Sequence, residues 1–117
     1  MDNKTSNILV ASKIDDFQIV INKGYDDFID SYMRFLVYEE GQEIFDPITK
    51  KSLGKLEIPK GFFKVQHIQD KMTILVSELK KDKNMFQITL LVKELDVEKE
   101  LLTKIKIGDR VKIVNVL

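Results

Sequence analysis

The sequence contains no cysteine, which excludes disulfide frameworks, thiolate catalysis and cysteine-based zinc or iron–sulfur sites together. It has no excess of either charge: Lys+Arg and Asp+Glu both number 19, for a formal net charge of zero. A general nucleic-acid binder gains most of its affinity by neutralising phosphates and carries a basic excess. The balance therefore argues against nucleic acid as the partner. The five glycines are isolated from one another, so no glycine-rich phosphate loop is present. No apolar run approaches the length of a transmembrane helix. The polar start, residues 1–7, leads into a short apolar segment that lacks the basic flank and long apolar core of a signal peptide. A cytoplasmic chain with no membrane partner is expected.

What is present suits a globular domain. At 117 residues, 44% hydrophobic and 32% charged, the chain is long enough to bury one core without metal or disulfide staples. Residues 1–7 read as a disordered lead-in and residues 8–117 as the single domain.

Periodicity along the chain is that of strands. Residues 8–14 and 17–22 are apolar runs joined by Asp15-Asp16, with Phe17, Ile19 and Ile21 on one face. Residues 25–31 read as a compact turn in which Phe28 or Ile29 plugs one end of the core. Residues 32–40 form a strand with Met33, Phe35 and Val37 on one face, ended by Glu40-Gly41. From 43 to 58 a hairpin is expected, its polar connection bracketed by Asp46-Pro47 and Gly54. Pro59 cannot donate to a ladder, so that arm must end there or lie at an edge. Further strands are expected at 62–69, 72–79 and 86–92, and a closing strand after Gly108-Asp109 carries Val111 and Ile113 inward. At most one short helix is expected, near 96–103 and capped by Asp96, with a loop as the alternative. Short strands with regular turn signals mean an all-β domain of about six to eight mostly antiparallel strands. A small closed or nearly closed β-barrel is the economical architecture, because closure removes exposed edges; a compact β-sandwich is the alternative.

Chemistry-bearing residues are sparse. His67 is the only histidine, and no serine sits in a nucleophile elbow that could join it in a triad. The acids at Asp26, Asp27 and Asp30, and at Glu39, Glu40, Glu43 and Asp46, lack the spacing of a calcium loop and read as turn-forming and solubilising. Lys60, Lys64 and Lys71 near Phe62 imitate the aromatic-plus-basic surface that small barrels use for single strands, diluted by Glu57 and Asp70. Apolar residues on both faces of 32–38 and 86–92 mark a candidate interface. Tyr32, Leu36, Tyr38 and Phe62 are the residues expected to form it, with core packing under a loop as the alternative. No catalytic residue, cofactor or metal site is expected.

One resemblance rests on turn residues. Val20-Ile-Asn-Lys-Gly24, the strand Met33-Arg-Phe-Leu-Val-Tyr-Glu39, the hairpin Ile44-x-Asp46-Pro47-Ile-Thr49-x-x-Ser52-Leu-Gly54 and the corner Gly108-Asp109-Arg-Val111 form a series. Together they resemble the C-terminal β-barrel domain of the bacterial flagellar assembly protein FlgT and its stand-alone bacterial relatives. The resemblance spans about residues 17–114. Phe28 and Tyr32 stand where that pattern has glycine, and Lys50 or Lys51 replaces the glycine after Thr49, so those corners are built differently here. The family brings no catalytic residues. The resemblance implies a non-enzymatic barrel used for assembly or protein contact, with another protein or with itself. A small-barrel nucleic-acid-binding protein is the alternative function.

Overall fold

Six antiparallel strands form one sheet in a computed structural model of the chain, which describes residues 7–79 and 92–116. The strands are β1 (Val10–Asp15), β2 (Gln18–Ile21), β3 (Met33–Phe45), β4 (Ser52–Ile68), β5 (Thr73–Ser77) and β6 (Arg110–Val116). Helix α1 (Val92–Thr103) lies between β5 and β6 in sequence. The spatial order is β1-β2-β5-β4-β3-β6. The sheet curls until its two edges meet at one end, where Leu9 bridges Arg110. There the Val10 N–H donates to the Asp109 carbonyl at 2.9 Å and the Val111 N–H to the Ile8 carbonyl at 3.0 Å. The ladder goes no further. The barrel expected from the sequence is thus a curled sheet touching at one corner, not a closed cylinder. Its first strand is short and irregular in register at both ends, which leaves little to pair.

The inward residues follow period two as expected. Ile19 and Ile21 on β2, Phe35 and Val37 on β3, Phe63 on β4 and Leu75 on β5 are fully buried, and Val111 of β6 joins them. The β1–β2 turn forms because the Asp15 carboxylate accepts the Phe17 N–H at 2.8 Å, a local bond that favours a bend over continued strand. Ile29, not Phe28, plugs the core; Phe28 points outward with a left-handed backbone at φ 65°.

Two element boundaries differ from expectation, and a third meets one of its alternatives. Gly41 does not end β3; it sits in an irregularity between the pairs Glu40↔Glu57 and Glu43↔Lys55 while the strand continues. Of the two alternatives expected at Pro59, an end or an edge, the structure has the edge, and β4 runs on through residues 59–61. Pro59 opposes Tyr38 where, among the described residues, β4 has no second neighbour, because β5 pairs it only from Phe63 onward. A proline survives inside a 17-residue strand because that stretch is an edge. Helix α1 starts earlier than expected, at Val92, so Asp96 lies within it rather than capping it. Most of the strand expected at 86–92 falls outside the described residues, and Val92 is helical.

Gly24 is a close-approach position. The Tyr25 N–H donates to the Gln69 carbonyl at 2.9 Å, and a Cβ on Gly24 would lie 2.0 Å from that same oxygen. Backbone on both sides cannot move aside as a flexible side chain would. Gly24→Ala should lower unfolding stability by about 1–3 kcal/mol, read as a shift of the urea midpoint. An unchanged midpoint would mean the 22–25 and 69–72 turns are not packed this closely.

Candidate functional site

Beyond the body of the sheet, β3 and β4 continue as a two-stranded arm. β6 pairs β3 only as far as Tyr38 and β5 pairs β4 only from Phe63, so from Glu39 and Ile58 outward the two strands have only each other among the described residues. The turn at the tip is built by Asp46. Its Oδ1 accepts the Ile48 N–H at 2.7 Å and the Thr49 N–H at 3.0 Å, while the Lys50 N–H donates to its carbonyl at 2.9 Å. Lys50 takes the left-handed backbone itself, at φ 67°, where Gly would cost least. Thr49 Oγ1 accepts the Lys51 N–H at 3.3 Å. Gly54 does not bracket this turn: it lies inside β4 opposite Ile44, with φ 103°.

The arm has two unlike faces. Strand alternation and the pairs Ile44↔Gly54 and Glu39↔Ile58 place Ile44, Leu56 and Ile58 on the face continuous with the core. Gly41 leaves room there, since a Cβ on it would sit 3.1 Å from Ile58 Cδ1. On the opposite face, Glu40 opposes Glu57 and Glu43 opposes Lys55. Arg110 reaches Glu40 at 3.1 Å and Lys112 reaches Glu57 at 2.6 Å, which relieves the like-charge pair. Leu56 remains 50% exposed and Ile48 at the tip 87%, with Phe45, Leu53 and Ile58 also exposed. Of these, Leu56 and Ile58 form with half-buried Ile44 an apolar strip on one face that the chain's own described core leaves partly uncovered.

At the root of the arm lies a buried charge cluster. Lys60 is 5% exposed and Asp109 3%. Lys60 Nζ donates to Asp109 Oδ2 at 2.8 Å and to the Lys104 carbonyl at 3.0 Å, and pairs with Glu39 Oε1 at 3.1 Å. Its three donors are thereby used. Asp109 Oδ2 also accepts the Lys106 N–H at 3.0 Å. The end of α1 is tied down by lysines, as its dipole favours: Lys13 Nζ donates to the Leu102 carbonyl at 3.1 Å and to the Thr103 carbonyl at 3.3 Å. Burial opposes the charge on Lys60, yet the bonds and charges of Asp109 and Glu39 outweigh it and raise its pKa. Hydrogen bonds from Lys60 and Lys106, with their charges, hold the Glu39 carboxyl below the ordinary range.

Beside the cluster a cleft of about 550 Å³ opens between β4 and α1, lined among others by Arg34, Leu36, Lys60, Phe62, Glu78 and Leu102. Two of its charged groups are committed to each other. Arg34 Nε and Nη2 form a two-pronged pair with Glu78 at 2.6 and 2.9 Å, and the guanidinium lies 4.1 Å from the centre of the Phe62 ring. Ser77 Oγ accepts the Leu79 N–H at 3.0 Å.

Of the four residues expected to form an interface, Leu36, Tyr38 and Phe62 lie on one face of the sheet, Leu36 two residues from Tyr38 and opposite Phe62, and the four differ in exposure. Leu36 and Phe62 face each other across β3 and β4 at the cleft, Leu36 nearly buried and Phe62 exposed. Tyr38 is half-buried, with Lys112 Nζ 5.6 Å from its ring. Tyr32 is exposed at the entry to β3. The basic group Lys60, Lys64, Lys71 is dispersed: Lys60 points inward, and Lys71 pairs with Asp26 at 3.2 Å. Sequence reasoning missed the burial of Lys60. The available signal was its parity, since it continues the series Leu56, Ile58. His67 is exposed on β4, beyond a register shift that takes it off the core face. Among the described residues, no three His, Asp or Glu side chains are grouped to hold a metal, and no helix is long and apolar enough to cross a membrane. No protein-family model matches the chain, and no curated protein is significantly similar to it.

Two outcomes follow. Lys60→Met strands the Asp109 carboxylate and should cost about 3–5 kcal/mol, of which the double change Lys60→Met with Asp109→Leu recovers part, because a buried pair can be replaced by apolar groups more readily than halved. Because the Lys60 pKa is raised on folding, its contribution is whole below the ordinary lysine value and is lost as pH rises through the raised one. Urea unfolding across alkaline pH should therefore steepen in the wild type and less so in Lys60→Met; additive losses in the double variant contradict this account. At the tip the sign reverses. The N–H groups of Thr49 and Ile48 hold the Asp46 carboxyl below its ordinary range, so its contribution is present above that range and is lost as pH falls through the lowered pKa. The Ile48 and Thr49 amide resonances should shift together in acid, and stay still in Asp46→Asn.

Proposed function

We propose that this chain is a non-enzymatic protein-interaction or assembly module of a bacterial cytoplasm, and that the β3–β4 arm carries the contact. The supporting observation is the arm's apolar strip, with Leu56 and Ile58 left exposed on a ribbon paired only within itself among the described residues. A lone two-stranded ribbon is marginal in water, and burying such a strip against a partner is favourable at about 25 cal/mol per Å². Kinship with the FlgT C-terminal barrel is part of the proposal. Phe28 and Lys50 stand where that family's pattern has glycine, and they are the two non-glycine residues with left-handed backbone among the described residues. The absence of cysteine suits a reducing compartment.

The alternative, nucleic-acid binding around Phe62, has less support, since Arg34 beside that ring is paired with Glu78 and Lys60 is turned inward. The test is a pair of glutamates, Leu56→Glu with Ile58→Glu. Leu56 and Ile58 are exposed, though Ile58 opposes Glu39, so circular dichroism first establishes that the variant is folded; capture of partner protein should then fall about tenfold or more. Undiminished capture by the variant removes the arm from the proposal, and oligonucleotide binding that falls steeply with salt favours the alternative.

A further inference from the structure

The arm offers more than an apolar face: β4 also presents a backbone edge that no other strand pairs among the described residues. Over residues 54–58 it is hydrogen-bonded to β3 on one side, and β5 joins the other side only from Phe63. This stretch is bounded by the left-handed Gly54 and by Pro59. An edge of this kind accepts another strand, and its own sequence indicates which one.

When two identical edges pair antiparallel about a two-fold axis normal to the sheet, like faces stay together and the axis passes through a residue. With the axis at Leu56, Lys55 of each copy lies opposite Glu57 of the other. Leu56 then opposes Leu56, and Gly54 opposes Ile58, on the apolar face. Moving the axis to Lys55 or to Glu57 sets lysine against lysine or glutamate against glutamate, and like charges directly opposite repel. Lysine on an edge ordinarily discourages pairing; here the second copy supplies its counter-charge. Glu57 has side chain to spare for it, being 40% exposed even while it pairs with Lys112.

We infer that the arm's partner is a second copy of this chain, joined edge to edge through residues 54–58 of β4 with Leu56 on the two-fold axis. The inference rests on the reading of the arm as a contact and names its occupant. It makes the two sheets continuous across the dimer and brings the apolar strips of both arms together on one side.

Charge reversal tests it on the full chain. Sedimentation equilibrium of the wild type should show a monomer–dimer equilibrium between low and high micromolar concentration. Lys55→Glu and Glu57→Lys should each weaken it about tenfold, because each turns two attractive cross-strand pairs into repulsive ones. Mixing the two variants should restore dimers, since the carboxylate introduced in one then faces the ammonium introduced in the other, while the unchanged Lys55 and Glu57 still oppose. Damage within one chain, for instance loss of the Glu43↔Lys55 pair, is not repaired by mixing, and circular dichroism checks that each variant is folded. A wild type that is monomeric at every concentration overturns the inference, whatever else covers the edge. So do single variants that dimerise as the wild type does, or a mixture that does not. If the wild type is monomeric yet Leu56→Glu with Ile58→Glu still abolishes partner capture, the second-copy inference fails and the interaction reading stands. If capture is unaffected as well, both fail.

Discussion

The buried ion pair between Lys60 and Asp109 is the constraint on which the rest of the architecture depends. Each ion would be costly to bury alone, and the cost is offset only because four parts of the chain converge on the site. Lys60 comes from β4, Glu39 from β3, the Lys104 carbonyl from the end of α1, and Asp109 from the turn into β6. The same turn carries the contact between the sheet's two edges. The Asp109 carbonyl accepts the Val10 N–H, and the Gly108 N–H donates to the Val10 carbonyl, both at 2.9 Å. One polar cluster therefore sets where the helix ends, where the edges meet and where the arm departs.

That arrangement gives the arm its character. β3 and β4 are held as one continuous ladder through the root, so the arm is an extension of the sheet and not a loop attached to it. The register irregularities at Gly41 and at Leu53 interrupt the ladder without ending it. Rigid presentation matters for a contact surface, because order already imposed by folding need not be imposed again on association. The charged face of the arm is neutralised from β6 through Arg110 and Lys112, leaving the apolar face as the side with unsatisfied contact area.

Much of the fold is legible in the residues. Period two places Phe35, Val37, Ile19 and Ile21 in the core, and Asp15 and Asp46 announce turns through bonds to amides two or three residues on. Phe28 and Lys50 carry left-handed backbone without being glycine, so neither corner is announced by its residue type. Reading fails where a local signal competes with a distant partner. Glu40-Gly41 and Pro59-Lys60-Gly61 look like strand ends, but long-range pairing carries both strands through them. Side-chain bulk alone does not tell Leu36, nearly buried, from Tyr32, exposed.

The sequence by itself determined the all-β class, the inward faces of the strands and the turn chemistry, because alternation and side-chain-to-backbone bonds act within a few residues. Tertiary structure alone decided that Lys60 lies inside, that the sheet stops short of closure and that residues 39–58 project as an arm. Those outcomes depend on groups far apart in the chain, such as Lys60 and Asp109 or Leu9 and Arg110. Whether a lysine is solvated or buried turns on whether a distant carboxylate is brought within 3 Å of it, and no local pattern carries that information.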